Sequence, residues 1–145
     1  MSRYAVGYTC GVFELFHTGH LNLLERCKEQ CDRLIVGVCD DDYIRVHKHR
    51  EPVIYAADRV RIIASLAAVD QAVLIDAETT VDKMLAYSKF RFNVLFSGDD
   101  WKGSERYCQT EALFRGIGVD IVYFPYTREI STTALIRKIE QIFPD

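Results

Sequence analysis

Short apolar runs rich in β-branched residues alternate with longer segments of helical periodicity along this chain, and this alternation restricts its fold more than any other feature. The predicted strands cover residues 3–9, 33–39, 71–75, 92–97 and 119–124. The predicted helices cover residues 19–31, 56–68, 79–89, 104–116 and about 131–142. Most of the strand segments are apolar on both faces, which is typical of a parallel sheet covered on each side. The pattern therefore predicts an α/β fold with a doubly wound, five-stranded parallel sheet.

The composition is that of an ordinary globular protein and restricts the classes of ligand. A chain of 145 residues is long enough to bury a core, and we expect a single domain over residues 1–145. With 49% apolar residues, 27% charged residues and a net charge of −3, the chain lacks the basic surplus of a general nucleic-acid binder. An anionic substrate must therefore be met by local positive charge.

The sequence also lacks the features of a membrane or secreted protein. No apolar run approaches the ~18–20 residues that a helix needs to span a bilayer, and the first residues lack a signal-peptide pattern. The five cysteines are odd in number, which predicts reduced, mostly buried thiols in a cytoplasmic protein. Cys27 and Cys31 lie four residues apart on one predicted helix face, but no second Cys or His pair has a matching zinc-site spacing.

Ligands of doubly wound sheets bind at the carboxyl ends of the strands. Three segments follow such ends, namely residues 8–20, 96–103 and 125–133. A charge-rich segment, residues 40–55, interrupts the regular pattern and is predicted to be a further loop. We therefore expect one site built from four loops.

The first of these loops contains the stretch GVFELFHTGH, residues 11–20. It lacks both the G-x-G-x-x-G spacing of dinucleotide folds and the Lys-Ser/Thr ending of a P-loop. If a helix begins near residue 18 or 19, His20 lies in its first turn, where free backbone N–H groups favour an anion. His17 and His20 are thus candidates for phosphate binding, but from the loop alone a helix cap with a packed imidazole, or a metal site, stays open.

The same stretch resembles the G-x-F-D-x-x-H-x-G-H signature of the nucleotidyltransferase superfamily that includes the cytidylyltransferases. EISTT at 129–133 resembles the R-T-E-G-I-S-T-T motif of that family, and SGDDWKG at 97–103 is similar to a segment of glycerol-3-phosphate cytidylyltransferases. The resemblance implies a Rossmann-like domain that transfers CMP from CTP to a small phosphorylated alcohol. The acceptor phosphate would attack the α-phosphate in line and release pyrophosphate.

Residue roles follow from the resemblance by position. Catalytic contacts with the triphosphate are implied for His17, His20 and Lys48, and we add Arg128 to them as a hypothesis. Nucleotide binding is implied for Thr9, Cys10, Gly11, Val12, Phe13, Gly98, Asp99, Asp100, Thr127, Ser131 and Thr132. Acceptor binding is implied for Arg50, Arg59 and Asp70. The resemblance also implies Mg²⁺ arriving with CTP rather than a resident metal site, and a homodimer; neither nucleic acid nor a membrane is an expected partner.

The charged segment aligns in two registers. Lys48 and Arg50 keep the K-x-K-like spacing that cytidylyltransferases place near the α-phosphate and the acceptor phosphate, but a slip of one residue would put His47 and His49 there. We favour Lys48 and Arg50, because a neutral imidazole does not neutralise phosphate at pH 7.

Three positions depart from the family pattern: Glu14 replaces an aspartate, Tyr126 replaces the leading arginine of R-T-E-G, and Ala67 replaces an arginine found in glycerol-3-phosphate enzymes. Arg128 is our candidate for the missing arginine. Ala67 weakens the case for glycerol 3-phosphate itself. The alternatives are an adenylyltransferase of the same superfamily that uses ATP, and a nucleotide-binding protein without catalytic activity.

Overall fold

The computed structural model describes residues 3–127 and 130–144 and contains one sheet of five parallel strands. The strands are β1 (Tyr4–Gly11), β2 (Cys31–Cys39), β3 (Gln71–Ile75), β4 (Val94–Gly98) and β5 (Asp120–Phe124). Their order across the sheet is β3-β2-β1-β4-β5, so the chain winds outward from β1 in both directions. This confirms the predicted doubly wound parallel sheet.

Helices cover both faces of the sheet. They are α1 (Thr18–Glu29), α2 (Asp41–Lys48), α3 (Ala56–Ala64), α4 (Ala77–Val81), α5 (Lys83–Phe90), α6 (Glu105–Arg115) and α7 (Thr132–Ile142). Alternate strand residues point to opposite faces, which gives two apolar clusters. In one cluster, Leu24 of α1 and Ile63 of α3 pack on Val36; in the other, Ala86 of α5 and Phe114 of α6 pack on the strand side chains of the opposite face.

The segment 40–55, predicted as a loop, contains helix α2, so that part of the prediction is wrong. Asp40 caps α2 by accepting a hydrogen bond from the N–H of Tyr43 (2.8 Å). Acidic residues occupy the first turn of α2 and basic residues the last, an order that complements the helix dipole. This charge order is visible in the sequence, but a helix of only eight residues has too short an apolar stripe for its periodicity to be recognised.

The segment predicted as one helix over 79–89 is two helices. Asp82 lies between them with a non-helical backbone. Its side chain caps α5 by accepting hydrogen bonds from the N–H groups of Met84 and Leu85.

In the part of the chain that the structure describes, no helix is long and apolar enough to cross a membrane. All five cysteines are in that part and none forms a disulfide; Cys27, Cys31 and Cys39 are buried.

Candidate active site

A cavity of about 660 Å³ opens at the carboxyl ends of β1 and β4, where the doubly wound topology places a ligand site. Many of the residues that the sequence pattern assigned to the site line it: residues 9–13, His20, Lys48, Arg50, Gly98 and Thr132. These residues come from four separate segments, as expected from the four predicted loops.

The two histidines form the start of α1. Nδ1 of His17 accepts a hydrogen bond from the N–H of Gly19 (3.0 Å), and Nδ1 of His20 accepts one from the N–H of His17 (3.3 Å). The ring centroids are 3.8 Å apart. A Cβ on Gly19 would lie 2.7 Å from Cε1 of His17, which explains why the residue between the histidines is glycine.

These hydrogen bonds determine which nitrogen of each imidazole carries the proton. Because each Nδ1 accepts a hydrogen bond, each neutral ring carries its proton on Nε2 and can donate it to an oxygen. Burial lowers the pKa of His17, while burial and the neighbouring His17 lower the pKa of His20 to about 4. Both rings are therefore neutral hydrogen-bond donors at pH 7, not cations.

Glu14 organises the segment that brings cations to the cavity. Its side chain is 1% exposed, and its carboxylate accepts from the N–H of Val53 (2.9 Å), the N–H of Ile54 (2.8 Å) and Nη1 of Arg50 (3.2 Å). The longer glutamate at this family aspartate position thus holds both a loop backbone and an arginine.

The structure favours one of the two alternative registers of the charged segment. Lys48 and Arg50 line the cavity, whereas His47 and His49 are exposed outside it. The His47 ring stacks on Tyr43, and His49 ends α2 in the left-handed region with φ 57°. Lys48 and Arg50 are therefore the pair of this segment that faces the cavity.

A second helix begins beside the first. Ser131 caps α7 by accepting from the N–H of Ala134 (3.0 Å), as predicted, and Thr132 Oγ1 donates to the backbone oxygen of Glu14 (2.8 Å). Nδ2 of Asn22 on α1 donates to Oγ1 of Thr127 (3.3 Å). The start of α7 is thus joined to the loop that precedes α1, and α1 is joined to the loop that precedes α7. Arg128 lies outside the described residues.

The end of β4 is covered by aromatic side chains. A Cβ on Gly98 would lie 2.6 Å from Cζ of Tyr126, so this glycine makes room for the tyrosine that replaces the family arginine. Burial, and then the charge of Asp100, raise the pKa of Tyr126. Asp99 and Asp100 begin a short 3₁₀ turn and are exposed. The turn ends with Trp101, which stacks on Tyr107 at 5.5 Å.

Two residues predicted to contact the acceptor, Arg59 and Asp70, do not line the cavity. Arg59 is 1% exposed, and its guanidinium donates to three backbone oxygens and to the carboxylate of Asp41 (2.7 Å), so it is committed to the protein interior. Asp70 precedes β3 at the amino edge of the sheet, opposite the cavity, where it accepts from Nζ of Lys28 (2.7 Å) and the N–H of Leu34 (2.7 Å). Neither side chain is placed to contact an acceptor.

Three cations that line the cavity escaped the sequence interpretation, Lys83, Arg106 and Arg137. Lys83 opens α5, and Arg106 lies over the Trp101 ring at 4.9 Å. Nothing in their local sequence distinguishes them from surface cations of amphipathic helices. Within residues 3–127 and 130–144, no group of three or more His, Cys, Asp or Glu side chains could hold a metal ion.

Comparison with known proteins identifies the family of the chain. The model of the cytidylyltransferase-like family matches residues 8–138. An FAD synthase of Thermococcus onnurineus is 32% identical over 136 residues, covering 92% of this chain and 89% of that protein. A bifunctional protein HldE of Caulobacter vibrioides is 36% identical over 135 residues, covering 92% of this chain but only 27% of that protein. The chain thus spans about a quarter of the length of this HldE relative.

A solved structure shows the same fold. The lipopolysaccharide core biosynthesis protein from Thermoplasma volcanium GSS1 superimposes with a TM-score of 0.68 at 23% identity, covering 86% of this chain and 97% of that chain. Because the family model covers most of the chain and nearly all of the residues that line the cavity, the chain belongs to the cytidylyltransferase-like family of nucleotidyltransferases.

Proposed function

We propose that this chain transfers a nucleoside monophosphate from a nucleoside triphosphate to a small phosphorylated alcohol and releases pyrophosphate. The observation that carries the proposal is the pair of helix N-termini at one cavity, with neutral His20 on one of them and Lys48 and Arg50 across the same cavity. Free backbone N–H groups, imidazole donors and fixed cations are what a polyphosphate needs.

The proposed step is an in-line displacement at the α-phosphorus. A phosphate oxygen of the acceptor forms a bond to this phosphorus while the bond to the pyrophosphate oxygen breaks. The Nε2–H groups of His17 and His20 donate to oxygens whose negative charge grows in the transition state. Lys48 and Arg50 bring the two anionic reactants together, so catalysis is mainly positioning and charge stabilisation.

CTP is the proposed nucleotide, supported by the similarity of SGDDWKG at 97–103 to glycerol-3-phosphate cytidylyltransferases. ATP is a second candidate, favoured by the FAD synthase relatives, which match over about nine tenths of both chains and whose named product contains adenine. Mg²⁺ would accompany either nucleotide as part of the substrate, since polyphosphates usually bind with it. Thr127, Ser131, Thr132 and Arg128 remain proposed contacts of the phosphate chain.

The acceptor is proposed to be a small phosphorylated polyol or amino alcohol. Arg59 and Asp70 are no longer proposed to contact the acceptor. The cations proposed to bind its transferring phosphate are Lys48 and Arg50. Ala67 gives no cation where glycerol-3-phosphate enzymes carry arginine, which favours an acceptor other than glycerol 3-phosphate. A homodimer is the proposed assembly, to be tested by the mass in solution.

The test is pyrophosphate release with Mg²⁺, crossing CTP and ATP with a panel of phosphorylated alcohols. A signal that depends on one nucleotide and one acceptor would support the proposal, and His20→Asn should reduce turnover on the order of 10²-fold. His49→Asn is the matched control, because His49 is exposed outside the cavity and asparagine tolerates its left-handed backbone. Nucleotide binding without pyrophosphate release for any pair would indicate a binding protein instead.

A further inference from the structure

The sulfur of Cys10 lies next to a buried ammonium at the cavity. Cys10 is half-buried near the end of β1 and lines the cavity. Its Sγ accepts a hydrogen bond from Nζ of Lys83 (3.1 Å), a side chain that is 5% exposed. Among residues 3–127 and 130–144, no carboxylate lies within 4.0 Å of this ammonium. A neighbouring cation stabilises a thiolate, which is the form of cysteine that attacks oxidants and other electrophiles.

A second hydrogen-bond donor beside Cys10 is unpaired. The hydroxyl of Tyr8 is fully buried and makes no hydrogen bond within the described part of the chain, which is a costly arrangement. Tyr8 and Cys10 are alternate residues of β1, so their side chains point to the same face of the sheet. A Cβ on Gly37 would lie 2.6 Å from the Tyr8 hydroxyl oxygen and 3.2 Å from Cβ of Cys10, so both side chains lie against this glycine. Burial, and then the neighbouring Cys10, raise the pKa of Tyr8, so its hydroxyl keeps its proton.

The other thiols of the chain lack these surroundings. Cys39 also lines the cavity, but it is buried, and burial raises its pKa to about 12, so it is a neutral thiol at pH 7. Cys27 and Cys31 are buried in the apolar cluster under α1. Cys108 is exposed on α6 and does not line the cavity. Cys10 therefore combines access through the cavity with a buried cation at its sulfur.

We propose that Cys10 is an oxidation site for hydrogen peroxide and that its oxidation blocks the cavity for phosphorylated substrates. The thiolate sulfur attacks one peroxide oxygen, the S–O bond forms as the O–O bond breaks, and the departing hydroxide takes up the proton of the thiol as water. The sulfur loses two electrons and the peroxide gains them, so the product is a sulfenic acid. The Lys83 ammonium and the Tyr8 hydroxyl are the donors that stabilise the new oxygen.

The effect on substrates rests on the proposed function, in which both substrates are phosphate anions. The added oxygen lies beside residues 9–13, which line the cavity. It accepts a hydrogen bond from Lys83 and brings negative charge into a cavity that has to bind anions. Both effects weaken the binding of a phosphorylated molecule, and reduction of the sulfenic acid by a thiol reverses them.

Trapping of the sulfenic acid by dimedone, located by peptide mass spectrometry, tests the oxidation without turnover. Catalase ends the exposure to peroxide, and dimedone is then added in urea, so its access to the cavity does not limit trapping. In native protein Cys10 should be oxidised about tenfold or more faster than the exposed Cys108, whereas peroxide added in urea should oxidise both within about threefold. A native ratio no greater than the ratio in urea would overturn the proposal.

Two variants test the donors. Lys83→Met keeps the buried stem and should slow the oxidation of Cys10 about tenfold, whereas Lys89→Met is the matched control, because Lys89 lies on the same helix, is exposed and is outside the cavity lining. Tyr8→Phe keeps the stacked ring and removes the unpaired hydroxyl, so it should fold and should give less sulfenic acid and more sulfinic acid. Thermal unfolding checks folding. An unchanged oxidation rate in folded Lys83→Met, or unchanged products in Tyr8→Phe if the lysine variant does not fold, contradicts the proposal.

Pyrophosphate release and calorimetric nucleotide binding measure the consequence for the site before oxidation, after it and after treatment with dithiothreitol. Both should fall by about tenfold or more on oxidation and recover on reduction. Cys108→Ser should be inhibited as strongly as the wild type. Full nucleotide binding with Cys10 oxidised would overturn the proposed block. Failure of the proposed function appears separately, as absent pyrophosphate release before any peroxide is added, while the oxidation of Cys10 is still observed.

Discussion

The buried carboxylate of Glu14 lies 3.2 Å from Nη1 of Arg50 and holds this arginine at the rim of the cavity. Two backbone N–H groups, of Val53 and Ile54, complete the bonding of the carboxylate. Thr132 Oγ1 donates to the backbone oxygen of the same glutamate. One residue therefore connects the histidine loop, the cationic segment and the start of α7.

Glu14→Gln should weaken the protein and the acceptor site together. The amide keeps only one acceptor oxygen and removes the charge that faces Arg50, so we expect a loss of about 2–3 kcal/mol in the free energy of unfolding. The KM for the acceptor should rise more than the KM for the nucleotide. Urea unfolding and steady-state kinetics measure both effects. Glu51→Gln is the control, because the pair of Glu51 with Arg45 is exposed and screened by solvent, so its loss should change stability little.

Variants of His17 should separate helix capping from catalysis. His17→Ala removes the cap and should cost about 1 kcal/mol of stability, whereas His17→Asn can replace it. Both variants lose the Nε2–H donor, so both should lose on the order of 10²-fold in kcat. Thermal unfolding and pyrophosphate release are the two measurements. Full activity of His17→Asn would mean that His17 acts only by starting the helix.

The pH dependence of stability should report the buried state of His20. An unfolded histidine binds a proton below about pH 6.5, whereas folded His20 does so only below about pH 4. Between these values the unfolded state holds more protons, so the free energy of unfolding falls as the pH falls. Urea unfolding at pH 7 and pH 4.5 should show the gap between wild type and His20→Asn narrowing by about 2 kcal/mol or less. A constant gap would contradict a buried, neutral His20.

Arg59→Lys should destabilise the fold without a specific effect on the acceptor. A lysine ammonium cannot make the set of hydrogen bonds by which the Arg59 guanidinium joins Val12, Cys39 and Asp41. We therefore expect the free energy of unfolding to fall by about 2–4 kcal/mol. At temperatures where the variant is folded, the KM for the acceptor should stay within about threefold, a change of under 1 kcal/mol. Arg61→Lys, an exposed position on the same helix, is the control. A large rise in the KM for the acceptor without a loss of stability would indicate that Arg59 does contact the acceptor.

The sequence by itself determined the sheet and the place of the site. Apolar strand segments separated by helical segments leave few alternatives to a doubly wound parallel sheet, and the strand ends of such a sheet meet at one edge. The cap at Ser131 was likewise predictable, because a hydroxyl before an apolar helical stripe is a local signal. Helix α2 was missed although its capping aspartate and its charge order are local signals too.

Only the tertiary structure decided which charged side chains belong to the site. Arg59, Asp70 and Lys83 are all ionisable residues on or next to helices and strands, with nothing local to separate them. Arg59 is enclosed by backbone oxygens, Asp70 lies at the far edge of the sheet, and Lys83 faces the cavity without a carboxylate partner among the described residues. The partners and burial of these residues come from segments distant in the sequence, and it is partners and burial, not residue type, that determine whether a charge is used for folding or is left for a ligand.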